Sequence, residues 1–161
     1  MRGYAAIGLY HPKTRANVGG TLRAAFCFDA ALVVVEGDRS HFNEGVGHCT
    51  NTLRSERHIP IVRTDDMHGA IPYGCVPVAV DLVDGATPLH AFQHPRNAFY
   101  VFGPEDGTLG GDILRRCRDK IMVPTRQCMN LAATVNVVLY DRLAKQKPSL
   151  ALSSPHGRSQ Q

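Results

Sequence analysis

The feature that most narrows the folds open to this chain is a series of short, continuously apolar runs separated by stretches of helical character. Ala5–Leu9, Ala31–Val35, Pro60–Val62, Val76–Asp81, Phe99–Phe102 and Lys120–Val123 read as strands. Several do not alternate apolar with polar residues, the pattern of strands buried on both faces of a parallel sheet. Helix signals lie between them. Asn17 is read as the N-cap ahead of Thr21–Phe26, and Thr50 ahead of a short helix ending at Arg57. Asp65 or Asp66 is read ahead of a helix ending at Ala70, and Asp112 ahead of Ile113–Cys117. The last helix is placed from Asn130 to Lys145, with basic final turns that suit the negative end of the helix dipole. This alternation predicts a three-layer α/β domain around a mainly parallel sheet.

The chain has 161 residues, enough for one core but cramped for two. Residues 1–147 are read as a single domain. The Ser-, Pro- and Gln-rich residues 148–161 are read as a disordered tail. No apolar run approaches the length of a membrane span, and the N-terminus lacks a signal-peptide core, so a cytoplasmic location is expected. Five cysteines (Cys27, Cys49, Cys75, Cys117, Cys128) are widely spaced with no C-x-x-C pair. They are expected to be free thiols, mostly in or near the core. Eight histidines include His41, His48 and His58 in one stretch, but no metal-ligand spacing accompanies them, so no metal is expected. The net charge of +4 is compatible with a polyanionic partner without establishing one. Arg115, Arg116, Arg118 and Lys120 cluster, while Lys13 and Arg15 flank the loop before the first helix.

Three segments carry candidate chemistry. Asn17-Val18-Gly19-Gly20-Thr21-Leu22-Arg23 follows a strand and opens a helix. Its glycines allow close backbone approach, its asparagine offers a donor and an acceptor, and Arg23 carries a permanent fork of donors. Phe102-Gly103-Pro104-Glu105-Asp106-Gly107-Thr108-Leu109-Gly110-Gly111 leaves a buried strand, where open α/β sheets bind ligands, yet it fails the dinucleotide fingerprint. Val123-Pro124-Thr125-Arg126-Gln127-Cys128-Met129-Asn130-Leu131-Ala132-Ala133-Thr134 leaves another strand and enters the final helix. Cys128 has no evident partner base, so a small polar contact suits it better than a nucleophilic role.

In order and spacing these segments resemble the SPOUT superfamily, and within it the TrmH/SpoU branch of RNA ribose 2′-O-methyltransferases. Asn17, Gly19 and Arg23 match that branch's N-x-G-x-x-x-R. Phe102, Gly103 and Glu105, with Gly107 and Leu109 nearby, are similar to its F-G-x-E-x-x-G-L. Val123, Pro124, Cys128, Asn130 and Leu131 are similar to its I-P-…-S-x-N-L. The likeness runs from Ala5 to Arg142, with two departures. Cys128 stands where serine is common, and Asp106-Gly107-Thr108 replaces an intact G-R-G.

The resemblance implies a C-terminal trefoil knot, a homodimer, and S-adenosylmethionine bound against the knotted turns by Leu82, Gly103, Met122, Val123, Cys128 and Met129. It nominates Arg23 as catalytic, with Asn17 and Glu105 in support; Asn17 and Arg23 of one subunit are expected to meet the cofactor of the other. Guanidinium stays protonated, so Arg23 is expected to hold a phosphate and stabilise a developing alkoxide rather than act as a base. With no separate RNA-binding module read ahead of the α/β domain, tRNA is preferred over rRNA as substrate. The alternatives are base methylation within the same superfamily and a catalytically silent RNA-binding or cofactor-sensing homologue.

Overall fold

In the computed structural model, which describes residues 3–37, 39 and 54–146, the first strand β1 (Ala5–Tyr10) runs into helix α1 (Arg15–Cys27) and then strand β2 (Leu32–Glu36). A 3-10 turn, Ser55–Arg57, precedes β3 (Ile61–Thr64), which is followed by β4 (Val76–Val80) and the two-residue β5 (Thr87–Pro88). A second 3-10 turn, Leu89–Ala91, leads to β6 (Ala98–Phe102). The chain continues through α2 (Gly111–Arg116), β7 (Asp119–Met122) and α3 (Leu131–Lys145). The strands form one sheet in the order β3-β2-β1-β6-β4-β7-β5, and every pairing is parallel. All carboxyl ends therefore open on one edge, and the loops leaving them share one rim.

The apolar runs are buried for the reason their composition gave. Ile7, Leu9, Val33, Val35, Tyr100 and Phe102 face one core, in which α1 and α3 bury Val18, Leu22, Leu131, Val135 and Val138. The intervening Ala6, Val34, Ala79, Phe99 and Val101 face a second core closed by Met67, Leu109 and Cys117. This period-2 division between two packed faces makes the α/β/α sandwich. Gly20 lets α1 and α3 pack closely, since a Cβ there would lie 2.8 Å from the Ala132 Cβ. The segments holding Asn17 and Asn130 are thereby brought side by side.

Several expected boundaries are corrected. Asn17 is not an N-cap: α1 starts at Arg15, and Thr14 caps it by accepting from the Asn17 N–H at 3.3 Å. Asn17 thus lies inside the helix and is 6% exposed. The stretch from Asp66 to Ala70 is a turn, not a helix. Its Ala70 N–H reaches Asp66 O, but Pro72 biases Ile71 away from helical backbone and stops propagation. The helix expected up to Arg57 is only the Ser55–Arg57 turn, and its expected cap, Thr50, lies outside the described residues. Asp112 sits within the first turn of α2 behind the cap Gly110. The cysteines are also corrected: Cys27 and Cys128 are exposed, Cys75 is half-buried, and of the described four only Cys117 is buried. Burial raises the Cys117 thiol to about 11, which keeps it unreactive. Residues 148–161 and Cys49 lie outside the described residues.

Candidate active site

The loops leaving β1, β6 and β7 are joined by one chain of side-chain hydrogen bonds. Glu105, just past β6, accepts from Asn17 Nδ2 through Oε1 and from the Lys13 N–H through Oε2 at 3.0 Å. Asn17 Oδ1 accepts from Asn130 Nδ2 at 2.6 Å. Asn130 Oδ1 caps α3 by accepting from the Ala133 N–H at 3.1 Å. The amide orientations follow from one another. A carboxylate only accepts, so Asn17 turns its NH2 to Glu105 and its oxygen to Asn130. Asn130 must then donate through its NH2, which leaves its oxygen for the helix N-terminus. Each of the three sequence segments supplies one member.

Beside this chain lies a cleft of about 580 Å³, part of it open to solvent. Leu82 beyond β4, Gly103 and Glu105 beyond β6, and Val123, Cys128 and Met129 beyond β7 line it. A Cβ on Gly103 would stand 3.3 Å from the Leu109 N and 3.5 Å from Asp81 Oδ2, so the glycine lets the bonded Leu109 amide and Asp81 carboxylate close in beside the floor. Asp81 fixes that floor, accepting from Leu109 N at 2.6 Å and from Leu82 N at 2.8 Å. Thr125 shapes the opposite wall by donating to Gln127 O at 2.7 Å.

Five of the six expected cofactor residues therefore converge on the cleft. Met122, half-buried at the end of β7, is not among its lining residues. Of the three residues expected at the chemistry, Glu105 lines the cleft and Asn17 holds Glu105, while Arg23 does neither. Arg23 lies six residues past Asn17, about one and two-thirds turns, and is on the exposed side of α1. Asp81 and Lys13 were not singled out as site residues, and Thr125 and Thr134 stood in the third segment without a role of their own. Asp81 ended an expected strand and Lys13 flanked the first segment, but nothing in their own spacing set them apart.

The rim carries a further cluster. Arg39 donates to both oxygens of Asp106, at 2.7 and 3.2 Å, and also to His11 O. The Lys13 ammonium stands 3.5 Å from the same carboxylate. These bonds, Arg39's first, hold the Asp106 carboxyl down at about 2. Among the described residues no group of three His, Cys, Asp or Glu side chains is placed to hold a metal ion.

The profile of the SpoU rRNA Methylase family matches residues 4–140. The chain belongs to that family. Solved structures share the fold of this SpoU family member. The AdoMet-bound rRNA methyltransferase from Sinorhizobium meliloti superposes with a TM-score of 0.77 at 20% identity, over 89% of this chain and 57% of that one. A structure described for 2-OH methylation of C/U34 on tRNA gives 0.73 at 20% identity, over 89% and 91%. The TrmH/SpoU tRNA modifying enzyme of A. aeolicus gives 0.74 at 17% identity, over 89% and 75%. This SpoU chain thus spans little more than half the length of the S. meliloti enzyme. No curated protein sequence matches it.

Proposed function

We propose that this chain transfers a methyl group from S-adenosylmethionine to a ribose 2′-hydroxyl of RNA, with tRNA preferred over rRNA. The observation that carries the reading is the Glu105–Asn17–Asn130 chain, which fixes three loops around a glycine-floored cleft. The cleft suits an adenosine: its apolar walls at Leu82, Val123 and Met129 offer a slot for the base, and Gly103 leaves room for backbone contact. When bound there, the sulfonium supplies an electrophilic methyl group. The protein's share is to bring the ribose oxygen into line and to help it lose its proton.

Glu105 is ill suited to take that proton. Both its oxygens already accept hydrogen bonds, one from Asn17 and one from the Lys13 backbone, and moving the carboxylate would loosen two loops. We assign it a positioning role, together with Asn17. Arg23 is assigned the charge: its guanidinium holds a substrate phosphate and stabilises the developing alkoxide. Because Arg23 is exposed on α1 and is not among the residues lining the cleft of its own chain, the reading includes a homodimer in which it reaches the partner's cleft. It includes as well a trefoil knot formed by the turns after β6 and β7. A cytoplasmic setting is part of the proposal; among the described residues no helix is long and apolar enough to cross a membrane.

The test is methyl transfer from labelled S-adenosylmethionine to total tRNA and, separately, to rRNA, followed by nucleoside mass spectrometry. A 2′-O-methylated nucleoside from the tRNA pool supports the full reading. A methylated base replaces the ribose assignment, and transfer only to rRNA reverses the substrate preference. Cofactor binding without transfer to either pool points to a substrate or partner outside those pools, and absence of cofactor binding as well favours a silent homologue.

A further inference from the structure

Two cations at the cleft's rim converge on a single carboxylate. Arg39, from the loop after β2, makes a two-pronged bond to Asp106, and Lys13, from the loop after β1, adds its ammonium. All three side chains are substantially exposed, with Asp106 and Arg39 each at 43% and Lys13 at 56%. Two oxygens of one anion facing a guanidinium fork, with an ammonium alongside, is the arrangement a phosphate diester also satisfies. The arrangement is aimed as well. Asp106 adjoins Glu105, which lines the cleft and holds the Lys13 backbone, so the cations keep a fixed relation to the transfer site. Arg39 is further fastened by donating through Nε and Nη2 to His11 O, which keeps its fork in place whichever anion it faces.

We propose that Asp106 is a place-holder for an RNA phosphate: Arg39 and Lys13 form a phosphodiester site at the rim of the cleft, and the carboxylate yields it when RNA binds. The inference rests on the RNA reading above. An exposed ion pair is weakly held in water, so exchange of one anion for another costs little. Asp106 remains charged throughout the physiological range, since its carboxyl is held at about 2, and it therefore screens the two cations whenever RNA is absent.

The experiment measures binding of bulk tRNA to the full chain, in the presence of S-adenosylhomocysteine, across a series of salt concentrations. Arg39→Ala is expected to weaken tRNA binding roughly fivefold and to lower the slope of log K against log salt by about one, the mark of one lost phosphate contact. Asp106→Asn, which keeps the shape but removes the competing charge, is expected to tighten tRNA binding by roughly two- to fivefold. Arg39→Lys is expected to fall between wild type and Arg39→Ala, since it keeps the charge and loses the fork. Asp106→Asn weakening tRNA as Arg39→Ala does would show that the pair merely staples the loops, and the proposal would fall. An unchanged salt slope in Arg39→Ala overturns it too. If wild type binds S-adenosylhomocysteine but neither tRNA nor rRNA, the RNA reading itself fails, and the phosphate site with it.

Discussion

Asn130 donates to Asn17 at 2.6 Å, joining two side chains 113 positions apart and fixing the start of α3 against the inside of α1. Asn17 also holds Glu105, so one buried amide positions two of the three loops that frame the cleft. Asn17→Ala should leave Glu105 and Asn130 each short of a partner, at a cost of about 1–3 kcal/mol in unfolding free energy. Because the loops then drift by a fraction of an ångström or more, kcat/KM for methyl transfer should fall by about a hundredfold. Thermal melts and single-turnover assays of the same preparation check both effects; wild-type values in each would remove Asn17 from the site.

The sheet was legible because parallel strands must be apolar on both faces, and Ala5–Leu9 and Phe99–Phe102 have no polar member to mislead. What escaped was local. Thr87–Pro88 makes a strand of two residues, too short for any periodicity to register. Asn17 looks like a cap because asparagine prefers that position, and only the packing of α1 on α3 shows that it is instead a buried strut. Glu105 and Cys128 were found through motif spacing. Asp81 was not, since an aspartate that accepts two backbone N–H groups is, in sequence, simply an acid at a strand end. Arg39 pairs with Asp106 across 67 positions, a relation that no short-range pattern encodes.

Arg23 separates catalysis from folding. It lies on the exposed side of α1, where substitutions usually stay within about 0.5 kcal/mol of wild-type stability. Arg23→Ala should therefore melt with the wild type and bind S-adenosylhomocysteine equally well, while kcat drops by about 10²–10³-fold. Arg23→Lys should recover only part of the loss, since an ammonium lacks the planar fork. Full turnover in Arg23→Ala would remove it from the mechanism.

Gly103 tests where the cofactor lies. An added Cβ would meet the Leu109 N at 3.3 Å and the Leu109 Cγ at 3.4 Å, a tight fit that costs about 1 kcal/mol or less if the leucine yields slightly. The methyl would nonetheless crowd the Leu109 amide and the Asp81 carboxylate, whose bond sets the wall of the cleft beside Leu82. Gly103→Ala should raise the Kd for S-adenosylhomocysteine at least tenfold, about 1.4 kcal/mol, in calorimetric titration, with little change in Tm. Unchanged affinity would move the adenosine elsewhere.

The last prediction concerns pH and the far end of α3. His94 is 4% exposed and lies between Tyr100 OH at 2.7 Å and Asp141 Oδ2 at 2.8 Å. Arg142 donates to the Tyr100 oxygen, so the phenol's own hydrogen points to His94 Nδ1, and His94 must donate to Asp141 from Nε2. A neutral ring satisfies both bonds; a protonated one would turn an N–H toward a phenol that already receives another. Tyr100 does not relieve this by ionising, because burial pushes it up to about 12. Burial, together with the charges of Arg142 and Lys145, accordingly lowers the His94 pKa below 6.5, and this outweighs the opposing pull of Asp141. With the folded value depressed, the unfolded chain binds more protons in the window between the two values. This contribution to stability is fully present above pH 6.5 and is lost as pH falls through the lowered folded value, at no more than about 1.4 kcal/mol per pH unit. Asp141, held low mainly against burial by Lys145 and His94, titrates in a separate window below 3.8. Urea unfolding at pH 7.5 and pH 5 should show a loss for the wild type that is smaller in His94→Gln, whose amide can accept from Tyr100 and donate to Asp141 without titrating. Equal losses in the two proteins would mean that His94 does not set this pH dependence.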